Sequence, residues 1–152
     1  MYPTILLIHS WLRWAVLAAG LIAVFRGVTG GRRMWTTADE AASRWFIISL
    51  DTQFLLGVIL YFVLSPIPPL AFDDFGEAMR TPGIRFWAVE HVFGMVVGIA
   101  LAHVGRSRIR KAPDDARRHR RAVIYYGLAL VAIAAAIPWP GMPNARPLFR
   151  VF

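Results

Sequence analysis

Along this chain apolar residues gather in four long blocks, residues 4–25, 45–64, 84–104 and 122–137, and most charged residues fall in the gaps at 26–44, 65–83 and 105–121. A helix needs about 20 mainly apolar residues to cross a hydrocarbon core about 30 Å thick, so each block reads as a membrane span. The fourth is the shortest and runs into Pro138-Trp139-Pro140, where missing amide donors stop a helix and Trp139 suits the water interface. The predicted fold is an all-α integral membrane protein, one membrane domain over residues 1–152, built as a four-transmembrane up-down-up-down helical bundle. In that bundle spans one and three run parallel and lie diagonally across the core.

Composition agrees with the pattern. Of 152 residues 57% are hydrophobic and only 17% charged, too apolar for an ordinary soluble domain. The net charge of +8 would suggest nucleic acid in a soluble protein. Here the basic residues sit between spans, where membrane orientation accounts for them and no nucleic-acid partner is expected. The first gap holds Arg26, Arg32, Arg33 and Arg44; the third holds Arg106, Arg108, Arg110, Lys111, Arg117, Arg118, Arg120 and Arg121; the second holds Arg80 beside Asp73, Asp74 and Glu77. The positive-inside rule makes the first and third gaps cytoplasmic and sets both termini on the periplasmic side of a bacterial inner membrane. The start of the chain lacks the basic region of a signal peptide and reads as a retained span. With no cysteine, thiolate metal sites and covalent haem attachment are excluded.

Ionisable groups inside spans cost about 2.5–3.5 kcal/mol each on insertion scales, so they seek a partner, a cavity or a cofactor. His9 lies about five residues into the first block and His91 about seven into the third, so a rise of 1.5 Å per residue sets both roughly 8–10 Å below the outer surface. On diagonal parallel helices the two imidazoles could reach the axis from opposite sides, as bis-histidine ligation of a b-type haem iron requires. Two imidazoles bonded to nearby carbonyls are the structural alternative. Gly94 and Gly98 share a face of span three and would either admit a flat macrocycle or pack a neighbouring helix. Arg13 could pair with Glu90 and fix the rotation of spans one and three, or clamp a propionate, and Arg85 could meet a propionate or lipid phosphate at the interface. Asp51 and His103 could pair between antiparallel spans and, with Gln53, serve protons to a quinone or form a satisfied polar cluster. A second haem is not expected, since His91 and His103 are turned about 120° apart and span one has no cytoplasmic-side histidine. His119, inside a run of arginines, reads as solvated charge against anionic headgroups. Trp11, Trp14, Trp45, Tyr61, Trp87, Tyr125, Tyr126 and Trp139 read first as membrane anchors, with Trp11, Trp87 and Phe93 also able to wall a cofactor.

With His9-Ser10-Trp11-Leu12-Arg13-Trp14 at the start of span one, Gln53-Phe54-Leu55-Leu56-Gly57 in span two, Arg85-Phe86-Trp87-Ala88-Val89-Glu90-His91 at the start of span three, Ile137-Pro138-Trp139-Pro140 after span four and the run from Lys111 to His119, the chain resembles small four-span bacterial membrane proteins catalogued as cytochrome b-like. The resemblance covers nearly the whole length. It implies a b-type haem and electron transfer. Asp51 departs from the histidine that relatives often carry there, which tells against a second metal site.

The leading expectation is a membrane-bound electron-transfer protein with haem b held by His9 and His91, exchanging electrons between a quinone pool and a redox partner. In that reading Arg13 or Arg85 balances propionate charge, while Gly94 and Gly98 admit the ring. The rival is a non-catalytic accessory subunit of a larger respiratory or photosynthetic membrane complex, binding lipid or pigment. A proton-coupled transporter using Asp51, Glu90 and His103 is a third reading, weakened by the lack of broken helices.

Overall fold

Helix ends in this chain are written by local chemistry. Pro3 opens α1 (Tyr2–Gly30) where an amide donor is not needed, and Gly31, with φ +49°, takes the left-handed turn that ends it. Asp39, in the first turn of α2 (Thr37–Ile59), reaches back to the Thr36 amide (2.8 Å) and hydroxyl (2.7 Å). A π turn (Leu60–Leu64) prolongs α2, and three short helices follow, α3 (Ile67–Asp73), α4 (Phe75–Arg80) and α5 (Pro82–Arg85). A second π turn (Phe86–Glu90) leads into α6 (His91–Arg110). Asp114 caps α7 (Asp115–Ala135) by accepting from the Arg117 amide at 2.7 Å. The computed structural model describes residues 1–142 and 144–149, among which there is no strand.

The stretches Tyr2–Gly30, Thr37–Leu64 and Pro82–Arg110 are long and apolar enough to cross a membrane. They extend past the expected spans mainly at the ends that lead into the two basic connections. α7 does not meet the same measure, because its first two turns carry Asp115, Arg117, Arg118, Arg120 and Arg121. The expected second connection also proves largely helical, as α3 to α5.

α7 packs closely along both α1 and α6, α1 packs on α2, and α2 meets α6 only sparsely. Facing residues give the directions. Gly27 opposes Val123 and Gly20 opposes Leu130, so α1 and α7 are antiparallel; Gly105 opposes Tyr125 and Gly94 opposes Ala136, so α6 and α7 are too. α1 and α6 therefore run parallel on opposite sides of α7.

Glycines set the spacing at these seams. A methyl carbon on Gly94 would lie 2.5 Å from Ala136 Cβ, and one on Gly98 would lie 2.6 Å from Ile133 Cγ1. Both glycines thus face α7, and neither lines the cavity described below. The expectation that they admit a ring is corrected: they let two helices approach.

The end carrying both basic connections is locked by ion pairs. Asp39, 2% exposed, accepts from Arg26 Nε (2.9 Å) and from Arg33 Nη1 (2.6 Å) and Nη2 (2.7 Å). That carboxylate holds the Arg33 guanidinium above its ordinary pKa through the hydrogen bond. Arg106 of α6 bonds Glu40 and Ser43 of α2, and Ser43 in turn bonds the buried Tyr126 of α7. His119 is the second correction. It is 1% exposed, set under bare Gly30 with its ring centre 5.0 Å from that of Trp35, because α7 begins early enough to turn it inward while Arg117 and Arg120 stay exposed.

Gly94→Ala is expected to destabilise the bundle by about 1–3 kcal/mol through overpacking, and adding Ala136→Gly to recover most of that loss. Unfolding of the detergent-purified variants in SDS, followed by circular dichroism, gives the coupling; strictly additive effects would mean the two residues do not meet.

Candidate functional site

Because α7 holds α1 and α6 together while α2 leans on α1, a cavity of about 430 Å³ is left along the sparse α2–α6 seam. Its walls are almost wholly apolar, with Leu6, Leu50, Val92 and Ile99 among them, and two imidazoles, His9 and His91, reach it from diagonal helices. The ring centres stand 6.5 Å apart with planes inclined at 68°. The shared depth inferred from helical rise is thus accompanied by actual proximity.

Each ring is placed by its own helix and neighbours. The π turn ends with the His91 amide bonded to the Phe86 carbonyl, five residues back, and that wider turn sets the direction in which the His91 ring leaves α6. Tyr61, in the other π turn, donates to the Ala88 carbonyl at 2.9 Å and ties the two turns together at the outer rim. His91 Nδ1 is 2.8 Å from the Ala136 carbonyl oxygen. A carbonyl only accepts, so the proton sits on Nδ1 and Nε2 keeps its lone pair. On the other side Gln53 donates to the His9 carbonyl at 3.0 Å, and a methyl on Gly57 would lie 3.4 Å from His9 Cε1. His9 Nδ1 is buried with no hydrogen-bond partner among the described residues.

The fit to a metal can be tested on this donor set. Two imidazoles bound axially to one metal at about 2.0 Å place their centres roughly 6.3 Å apart, close to the spacing here. Among the described residues no three His, Cys, Asp or Glu side chains come together. Two imidazoles beside a roomy apolar cavity therefore match a metal whose remaining ligands arrive in a macrocycle. The volume lies within the range of small-molecule and cofactor sites, about 300–1,000 Å³.

The expected arginines are engaged differently. Arg13 does not pair with Glu90: its Nη2 donates to the Leu148 carbonyl at 2.8 Å. Glu90 instead accepts from Arg85 Nε at 2.6 Å, and Arg85 Nη1 donates to the Met79 carbonyl at 3.1 Å. Arg85 is thus held at the surface away from the cavity, and Arg13 lines only a small adjoining pocket of about 60 Å³. The rim cation is Arg146, which lies 4.1 Å over the Trp87 ring and lines both spaces. Sequence reasoning missed it because Arg146 follows the last apolar block. Only its place in a proline-rich segment able to fold back gave a signal.

Segment 144–149 runs back over this end. Trp14 Nε1 joins Arg13 in donating to the Leu148 carbonyl (3.1 Å), Phe149 stacks on Trp14 with centres 5.3 Å apart, and Asn144 donates to the Pro82 carbonyl at 3.4 Å. Trp87 lines the cavity, whereas Phe93 is 69% exposed and Trp11 packs near Phe149. Asp51 and His103 do pair, at 2.7 Å, one helical turn beyond Ile99 toward the end bearing the basic connections, with side chains 44% and 50% exposed. Comparison of the chain with protein-family models, curated proteins and solved structures finds no match.

The His91–Ala136 bond predicts a single tautomer. Nitrogen NMR of histidine-labelled protein should show His91 with Nδ1 protonated and Nε2 bare, and Ala132–Ile137 held close to α6; a protonated Nε2 would mean that the carbonyl does not orient this ring.

Proposed function

We propose that the chain is a membrane-embedded electron-transfer protein holding one b-type haem between His9 and His91. The observation that carries this reading is the pair of imidazoles, 6.5 Å apart on diagonal helices, at an apolar cavity of about 430 Å³. When bound, such a group supplies one-electron redox chemistry at its iron. The chain's own residues bind, orient and insulate it. His91 offers Nε2 because Ala136 occupies Nδ1, and an Nδ1–H bonded to a carbonyl is a more basic ligand than a free imidazole. His9 is set by the packing of α1 on Gln53 and Gly57. Leu6, Leu50 and Ile99 exclude water and, as low-dielectric walls, disfavour the extra positive charge of the oxidised state, which raises the potential.

In this reading α7 is a fourth crossing of the bacterial inner membrane, and the end bearing Arg26, Arg33, Arg106 and Arg121 faces the cytoplasm. Support comes from the gathering of both basic connections at one end and of Asp73, Asp74 and Glu77 at the other. The sparse α2–α6 seam offers a quinone lateral access to the cavity from the bilayer.

One observation favours the second reading, an accessory subunit of a larger membrane complex. Asp51 and His103 bond each other yet remain about half exposed on a surface that would otherwise meet lipid. Polar groups in such a position are usually covered, and a neighbouring subunit would cover them.

A reduced-minus-oxidised visible spectrum of protein purified from native membranes, with a pyridine haemochrome count, tests the first reading. A b-type spectrum near one haem per chain is expected, lost in both His9→Ala and His91→Ala, and sharply reduced in Gly57→Leu, which fills the space beside His9. A haem-free protein from native membranes overturns this reading and leaves the accessory subunit.

A further inference from the structure

Charge around the cavity is unbalanced in one direction. At this end of the bundle three acids are committed elsewhere, Glu90 to Arg85 at 2.6 Å, Glu77 to Arg80 at 3.6 Å, and Asp74 to the amide of Glu77 at 2.9 Å as the cap of α4, while Asp73 is exposed and does not line the cavity. The cations beside the histidines are not. Among the described residues no carboxylate pairs with Arg13 or Arg146; Arg13 has a backbone carbonyl, and Arg146 has the face of Trp87. Of the two, Arg146 lines the large cavity itself.

A guanidinium beside apolar walls is stabilised by a ring face, but a carboxylate satisfies far more of it, through two parallel N–H to O bonds. Among the described residues none supplies that carboxylate to Arg146, and an acidic occupant of the cavity would. We propose that Arg146 is the group that binds the acidic edge of the cavity's occupant, so that the molecule enters with its carboxylates toward the outer, Arg146-bearing rim and its apolar edge toward Leu50 and Ile99. This rests on the haem reading, in which the acidic edge is the pair of propionates, and it replaces Arg13 and Arg85 in that role. Arg146 then also links occupancy to the returning segment, since residues 144–149 fasten to α1 through Leu148 and Phe149.

The assignment predicts discrimination between an acid and its ester. Full-length apo-protein in detergent is titrated with ferric protoporphyrin IX and with its dimethyl ester, which has the same ring and iron without the two charges. Wild type is expected to bind the diacid about tenfold or more tightly than the diester, the scale of a charge-assisted hydrogen bond. Arg146→Gln should bring the two affinities together, and Arg146→Lys should keep part of the preference. Because both porphyrins meet the same folded variant, general damage to the returning segment weakens both and leaves their ratio unchanged. Equal wild-type affinity for the two, or a preference that survives Arg146→Gln, overturns the Arg146 assignment while leaving the haem reading standing. Failure of the wild-type chain to bind either overturns both.

Discussion

Everything at the centre of this protein depends on how closely α7 lies against α1 and α6. Gly20 and Gly27 on one side, Gly94, Gly98 and Gly105 on the other, remove the side chains that would hold the helices apart, and Leu130, Val123, Ala136, Ile133 and Tyr125 fill the space they leave. Van der Waals packing is the main force between helices in lipid, where hydrophobic exclusion from water is absent, so such close seams are where stability is concentrated. A bundle drawn tight on two seams cannot be equally tight on all four. With α2 fastened to α1, the α2–α6 side is left open, and the cavity follows from that inequality.

The two ends of the bundle handle charge in opposite ways. At the basic end Arg26 and Arg33 meet Asp39, Arg106 meets Glu40 and Ser43, and Arg121 donates to the Arg108 carbonyl. A carboxylate as buried as Asp39 is tolerated only because five hydrogen bonds from Arg26, Arg33 and Thr36 converge on it. That end is a closed structural unit. At the other end Glu77 pairs with Arg80 and Glu90 with Arg85, and the histidines and Arg146 face the cavity without a carboxylate partner among the described residues. Function is therefore sought at the end bearing the histidines and Arg146, where charge is left over.

The apolar blocks were legible because hydrophobic length is a one-dimensional property, and the common depth of His9 and His91 was legible because helical rise is constant. Three of the four blocks form helices of spanning length, while the charged first turns of α7 leave the fourth short of that measure. Rotation was not legible. A depth argument could not tell that Arg13 turns to the Leu148 carbonyl, or that Glu90 stays with Arg85 at the surface. The π turn at Phe86–Glu90 adds a further offset that a period of about 3.6 residues misses. Gly94 and Gly98 were correctly seen to share a face, but the sequence carries no sign of which neighbour that face meets. His119 was hidden among arginines because composition averages over a helix turn, and only one residue of that turn points inward. Arg146 depends on the chain folding back after its last helix, a long-range event with no periodic trace.

The two histidines are not equivalent, and their inequality follows from α7 as well. Close packing at Gly94 brings the last turn of α7 beside α6, which puts the Ala136 carbonyl within 2.8 Å of His91 Nδ1. No comparable carbonyl reaches His9, whose Nδ1 is buried without a hydrogen-bond partner among the described residues, as is Oε1 of Gln53, whose amide nitrogen donates to the His9 backbone. If a metal were held through Nε2, His91 would keep its single N–H, on Nδ1, in an existing hydrogen bond, whereas His9 would bury an N–H without a bonded partner among the described residues, a penalty of about 1–3 kcal/mol. Under the proposed ligation His91 would be the firmer ligand and His9 the more labile one. The proposed cofactor would then be held chiefly through α6 and α7, and the side nearest α2, where the seam is already open, would be the side on which the hold yields first.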